Sequence, residues 1–267
     1  MRFDATEVEI AVPARRLPAV RMAGFRQRAP VRRDIGMIAH PAVTLLIDLS
    51  QDASLSFDVN GAARRGSVVV GLLPGELHAT GLARVDCLQI RLEPVAAAAV
   101  LGPAAELTGA VVALDEIWGA EAVRVEDRLR AATSWDDRFA LAAELVTRRA
   151  AARRVDPEVA HAWRRTLGAR GRLRVAGLAD EVGWSRQRLW SRFRAQLGIT
   201  PKHAARLIRF DHAAHLLAAG HPPAGVAAEG GYTDQSHLHR EVLAFTGLSP
   251  AGVAAAPWLS FDDVAWP

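Results

Sequence analysis

GWSRQRLWSRFRAQLGITP (183–201) and GYTDQSHLHREVLAFTGLSP (231–250) are the stretches whose reading decides the fold. Each opens on a Gly followed by an aromatic residue, Trp184 or Tyr232. Each reaches a helix-capping residue, Ser185 or Asp234, then Leu189 or Leu238, and closes on Gly, an aliphatic residue, Ser or Thr, and Pro. Past a one-residue insertion near Thr233 the matched positions lie 49 apart. Two copies of one supersecondary unit are implied.

In the first copy, Leu178, Ala179 and Val182 form an apolar stripe, with small Ala179 where a second helix must approach closely. A tight turn at Gly183 follows, Ser185 starts the next helix, and Leu189, Phe193 and Leu197 recur every four residues as its buried stripe. Helix, short turn and capped second helix is the grammar of a helix-turn-helix, whose second helix lies in the DNA major groove. Its exposed side carries Arg186, Gln187, Trp190, Ser191 and Arg194. Arg grips guanine O6 and N7, Gln does the same to adenine, and an aromatic edge lies on a thymine methyl; each good pair discriminates by about 1–3 kcal/mol. Trp190 has a second reading, packing beside Phe193, and Arg194 suits a phosphate or solvent better than a base.

The second copy repeats the plan: Val226 and Ala227 begin the supporting helix, Gly231-Tyr232 makes the turn, and Asp234 caps. Leu238, Val242 and Phe245 form the stripe, while Gln235, Ser236, His237, His239 and Arg240 face outwards or flank it. Gly230, inside or at the end of the short helix, costs roughly 1 kcal/mol relative to Ala, which predicts a softer copy.

The segment from about Leu173 to Val253 resembles the DNA-binding domain of the AraC/XylS family of bacterial transcription regulators. The resemblance is carried by Leu178-Ala179, Gly183-Trp184-Ser185, Leu189, Arg192-Phe193, Gly198-Ile199-Thr200-Pro201, Arg209, Leu216-Leu217, Val226-Ala227, the tract from Gly231 to Ser236, Arg240 and Gly247-Leu248-Ser249-Pro250. It implies seven helices, with a long one from roughly Pro201 to Ala219 holding two reading helices in successive major-groove turns about 34 Å apart. By the same resemblance, base reading falls on Arg186, Gln187, Trp190 and Ser191 in the first copy and on Gln235, Ser236, His237 and His239 in the second. Ser185, Arg194, Lys202, Arg206, Arg209, Thr233 and Arg240 are assigned to phosphates or support of the fold. Glu241-Val242 departs from the family's aromatic-basic pair after Arg240.

Upstream, residues 40 to 93 read as β: VTLLIDL (43–49), SLSFDV (54–59), SVVVGLL (67–73) and VDCLQIRL (85–92) are short aliphatic runs with turn signals between them, Asn60-Gly61 among them. A small antiparallel barrel or sandwich is expected, and this half resembles, more weakly, a cupin-like sensor domain. From Val95 to Leu167 the pattern turns helical, with Ser134 placed as an N-cap and Arg148, Arg149, Arg153 and Arg154 reading as a solvated last turn. The expected fold class is α+β: a sensor or dimerisation domain over 1–94, a helical connector over 95–166, an all-α domain over 167–256 with two helix-turn-helix motifs joined by a long helix, and a tail over 257–267. His40, Glu76 and His78 are candidates for an effector pocket, with loop surface as the alternative for Glu76 and His78.

Composition bounds the rest. The chain has 267 residues, 50% hydrophobic and 23% charged, so a folded, soluble protein of one large or two ordinary domains is expected. Cys87 alone permits no internal disulfide and no multi-Cys zinc centre. The first twenty residues lack the unbroken apolar core of a secretion signal, so a cytoplasmic location is expected. Between Ala169 and Gly252 stand 11 Lys and Arg against 6 Asp and Glu, so the net charge of +4 is gathered in the last third, the footprint of a polyanion partner. The pairs His212/His215 and His237/His239 lack the convergent ligands a metal requires, and neither metal nor cofactor is expected. The leading reading is a sequence-specific transcription regulator, not an enzyme. A DNA-alkyl-damage sensor and a protein-interaction module are its rivals. The candidate partners are double-stranded DNA, a small-molecule effector, RNA polymerase and a second copy of the chain, with no membrane.

Overall fold

The computed structural model describes residues 8–27, 31–37, 39–50, 56–59, 62–72, 77–83, 86–102, 107–255 and 265–266. Its first part holds the strands β1 (Val8–Ala11), β2 (Val20–Gln27), β3 (Val31–Met37), β4 (Val43–Asp48), β5 (Ser56–Val59), β6 (Ala62–Arg65), β7 (Val68–Val70), β8 (Leu77–Ala83) and β9 (Asp86–Leu92), then helix α1 (Pro94–Leu101) and strand β10 (Val111–Ala113). They form a six-stranded sheet in the order β1-β2-β9-β4-β7-β10 and a four-stranded sheet in the order β3-β8-β5-β6. Every strand pairing is antiparallel. The α+β architecture stands, with the β part drawn as two sheets.

Strand β4 lies between β9 and β7 and is buried at every residue, which is why Leu45, Leu46 and Ile47 run together rather than alternate with exposed polar residues; Thr44 and Asp48 are buried with them. Strand β2 alternates instead: Val20 and Met22 join the core under the helices, while Ala23 and Phe25 face the other way. The sheet begins earlier than the expected start at residue 40, because β1, β2 and β3 precede it. Arg21, Gly24 and Arg26 interrupt β2, so its apolar signal is weak until β9 pairs with it. The Asn60-Gly61 turn lies outside the described residues.

The segment after the sheet holds α2 (Leu114–Trp118), α3 (Ala120–Ala131) and α4 (Trp135–Ala150). Ser134 caps α4, its Oγ accepting the Asp137 N–H at 3.1 Å. Two expectations for this segment need correction. It is not wholly helical, since Val111–Ala113 pairs with β7, where β-branched Val111 and Val112 complete the sheet edge. Its arginine run is not wholly solvated either. Arg149 lies 4.6 Å from the Trp118 ring, donates to the Val100 carbonyl at 3.0 Å and pairs with Glu121, whereas Arg148, Arg153 and Arg154 are exposed.

Seven helices follow: α5 (Pro157–Gly168), α6 (Val175–Glu181), α7 (Arg186–Leu197), α8 (Pro201–Ala218), α9 (Pro223–Glu229), α10 (Gln235–Thr246) and α11 (Pro250–Ala254). Helix α8 is their hub, with α5, α7, α9, α10 and α11 packed against it. Its 18 residues span about 27 Å at 1.5 Å per residue. Phe210, fully buried on α8, stacks on Phe245 of α10 with ring centroids 4.8 Å apart. One apolar cluster runs from the sheet into this bundle. Helix α1 packs on α7, and buried Trp163 of α5 donates its Nε1–H to Glu93 at 2.9 Å.

Candidate nucleic-acid interface

Both helix-turn-helix units are built by the same local bonds. In the first, Gly183 N–H bonds to Asp180 O at 3.1 Å and Trp184 N–H to Ala179 O at 3.0 Å. In the second, Gly231 N–H bonds to Ala228 O at 3.4 Å and Tyr232 N–H to Ala227 O at 3.0 Å. The turn needs a left-handed residue, and Gly183 (φ +67°) and Gly231 (φ +73°) supply it without a Cβ penalty. The second helices are capped alike, Ser185 Oγ accepting Arg188 N–H and Asp234 Oδ1 accepting His237 N–H. Left-handed Gly198 and Gly247 end them, each returning its N–H to the residue four back.

Of the two places expected for Gly230, inside the short helix or at its end, the structure gives the end: it is the C-cap of α9, and a Cβ there would come within 2.8 Å of the Tyr232 ring and 2.9 Å of the Val226 carbonyl. The residue is glycine because an aromatic side chain packs where a Cβ would stand.

On α7, Leu189, Phe193 and Leu197 are buried, and Arg186, Gln187, Trp190, Ser191 and Arg194 are exposed. Among the described residues, the side chains of Arg186, Gln187 and Ser191 have no hydrogen-bond partner, which leaves their donors and acceptors for a ligand. Trp190 is 44% exposed, with the Arg194 guanidinium 5.3 Å from its ring, so it stands outside the core that holds Phe193. Arg192 is committed elsewhere: it grips Asp156 through two bonds of 2.8 and 3.0 Å. The Arg192 bonds hold the Asp156 carboxyl below its ordinary range, against the raising effect of burial.

On α10, Leu238, Val242 and Phe245 are buried and Gln235, Ser236, His239 and Arg240 are exposed. His237 is half-buried, its ring edge-on to Tyr232 at 5.3 Å and its Nδ1 3.4 Å from the Thr233 amide. Lys202 is exposed at the start of α8, as are Ser185 and Thr233 in the two turns.

Arg206 and Arg209 face inward to a carboxylate that sequence reasoning noted only as a departure. Glu241, 3% exposed at its side chain, accepts Arg206 Nε at 2.9 Å and Arg209 Nη2 at 2.8 Å, clamping α10 onto α8. The signal was present as two Arg at i and i+3 on one face of α8. What the sequence did not reveal is that Glu241 lies opposite them.

In the amino-terminal part, His40 accepts the Ala42 N–H at Nδ1, and its Nε2 lies 3.1 Å from Thr44 Oγ1. His78 belongs to β8, in register with Gly36 and Asp58, and Glu76 lies outside the described residues. His161 pairs with Glu181 on the helical side. Among the described residues, no three His, Cys, Asp or Glu side chains gather where they would hold a metal ion. Cys87 is 2% exposed, and burial pushes its thiol pKa far up.

A pair of capped helix-turn-helix units on one connecting helix defines a DNA-reading domain of transcription regulators. Residues 178–256 match the family described as "Helix-turn-helix domain", a domain of the AraC type. An uncharacterised helix-turn-helix-type transcriptional regulator of Bacillus subtilis (strain 168), YbfI, is 39% identical over 61 residues, 23% of this chain. That match spans 22% of the relative's length, far less than two thirds of it. Among solved structures, the carboxy-terminal domain of the response regulator AraT from Geobacillus stearothermophilus aligns with 38% of this chain and 87% of its own, at 25% identity and a TM-score of 0.36. ToxT from Vibrio cholerae aligns with 88% of this chain and 97% of its own, at 10% identity and a TM-score of 0.48.

Proposed function

We propose that the chain is a sequence-specific transcription regulator that reads two successive major-groove turns of duplex DNA, one with α7 and one with α10. The observation that carries this reading is the duplicated turn and cap geometry, which leaves equivalent first turns of α7 and α10 exposed. Base contacts fall to Arg186, Gln187, Trp190 and Ser191 and to Gln235, Ser236, His237 and His239. Phosphate contacts fall to Ser185, Arg194, Lys202, Thr233 and Arg240, while Arg206 and Arg209 hold α10 in place. In this proposal residues 1–94 serve as sensor and pairing surface for a second copy, 95–166 as connector, 167–256 as reader and 257–267 as tail.

Effector control is supported by the packing of α1, the helix that follows β9 of the sheet, against the reading helix α7. A ligand that shifts α1 then biases the DNA-competent arrangement, provided it binds the two states differently. A DNA-bound regulator of this kind acts on RNA polymerase in the cytoplasm. No helix among the described residues is long and apolar enough to cross a membrane. The alkyl-damage alternative requires an accessible thiolate, and Cys87 is a buried thiol. The test is a mobility-shift titration on DNA selected from a random pool. Saturable, competitor-resistant binding is expected, and indifference to sequence would contradict the reading.

A further inference from the structure

A cavity of about 360 Å³ lies between residues 12–22, α4 and the segment Ala265–Trp266. Its body is apolar: Met22 of β2, Phe139 and Ala143 of α4, and Trp266 line it. The pocket opens to solvent on the side of Arg15 and Arg16, and its volume falls in the range of small-molecule sites. The polar groups on its wall are not balanced. Arg15, Arg16 and Arg21 stand there with Asp136 as the one acid among the lining residues. Arg15 and Arg16 are exposed and make no side-chain hydrogen bond or ion pair among the described residues.

The Trp266 wall is fixed in place. Arg21 Nη1 donates to the Trp266 carbonyl at 3.2 Å, the Arg91 guanidinium lies 4.0 Å from its ring, and Phe25 packs at 6.4 Å. Trp266 is 8% exposed and Ala265 2%. In chain order this segment follows α11, which packs on α8 and α10 of the DNA-reading bundle. The cavity is thus shared between the amino-terminal sheet, the connector helix and the stretch of chain downstream of the reader.

We propose that this cavity binds a small organic anion, an apolar body carrying a carboxylate or sulfonate. The body fills the space between Met22, Phe139 and Trp266, and the anionic group takes the guanidinium donors of Arg15 and Arg16, whose planar forks suit such oxyanions. His40 is not among the described lining residues, and the regulatory meaning of this site rests on the transcription-regulator reading above.

The test uses the full chain and two fluorescent probes of nearly equal apolar body, anionic 8-anilinonaphthalene-1-sulfonate and neutral N-phenyl-1-naphthylamine. The anionic probe is expected to bind saturably at one site and about tenfold more tightly than the neutral one, the worth of charge-assisted bonds. The double variant Arg15→Ala, Arg16→Ala removes that preference, and Ala143→Trp, which fills the cavity, removes binding of both probes. Equal affinity for the two probes overturns the proposal, as does undiminished binding to a folded Ala143→Trp variant. If Ala143→Trp does not fold, the exposed arginine pair decides alone: a preference that survives the double variant overturns the site. Mobility shifts with and without saturating sulfonate probe separate the two readings. Altered DNA affinity supports the cavity as the effector site, and unaltered affinity overturns that role. A chain that binds the probe but no DNA overturns only the regulator reading.

Discussion

Two kinds of arginine share the carboxy-terminal helices, and they respond differently to removal. Arg186 is exposed with no partner among the described residues, so Arg186→Ala is expected to weaken operator binding by about 1–3 kcal/mol while leaving the urea midpoint unchanged. Arg192 is tied to Asp156 but half exposed, so Arg192→Ala is expected to lower the urea midpoint only slightly, as for other solvated ion pairs. The Asp156 carboxyl titrates below its ordinary range, chiefly through the Arg192 bonds. Its contribution is therefore present above the ordinary Asp pKa of about 4 and is lost as pH falls through the lowered value in the folded state. The stability gap between the native chain and Asp156→Asn should narrow as pH falls below about 4 in urea titrations; a gap that widens there would contradict the assignment. Glu241 is a buried charge that joins α10 to α8. Glu241→Gln leaves Arg209 buried against an uncharged amide and should lower unfolding free energy by about 3 kcal/mol, whereas a loss below about 1 kcal/mol would mean that the clamp contributes little.

At the scale of elements, each helix-turn-helix is specified by bonds within about ten residues. Gly183 and Gly231 at positive φ, Ser185 and Asp234 as caps, and the four-residue apolar rhythm are all local, and so the repeat is legible before any tertiary contact is known. Gly230 shows where local reasoning stops. Taken alone it is a weak helix former; in place it makes room for Tyr232. Gly230→Ala should destabilise the protein by about 1–3 kcal/mol through overpacking, despite the better helix propensity of Ala, and a stabilised variant in thermal unfolding would refute the close approach. The strands were less legible for a related reason. Strand β2 carries Arg21, Gly24 and Arg26 among its apolar residues, and β10 is three residues long. Each becomes a strand because β9 or β7 offers it a ladder. The partners of Arg206 and Arg209 were hidden in the same way, since Glu241 reaches them only after α10 folds back on α8.

At the scale of the whole molecule, a mostly neutral amino-terminal two-thirds is joined through one continuous core to a basic reader. The phosphate contacts proposed for Arg194, Lys202 and Arg240 would release counterions, so binding should weaken steeply as salt rises, and a flat response would argue against duplex recognition. In the proposed complex α8 sets α7 and α10 so that both enter the major groove on one face of DNA. Selection of bound sequences from a random duplex pool by the full chain tests this arrangement most directly. A split motif is expected, its halves about ten base pairs apart, with Arg186→Ala relaxing one half and Gln235→Ala relaxing the other. A single undivided motif, or one that both substitutions degrade at the same positions, would contradict it.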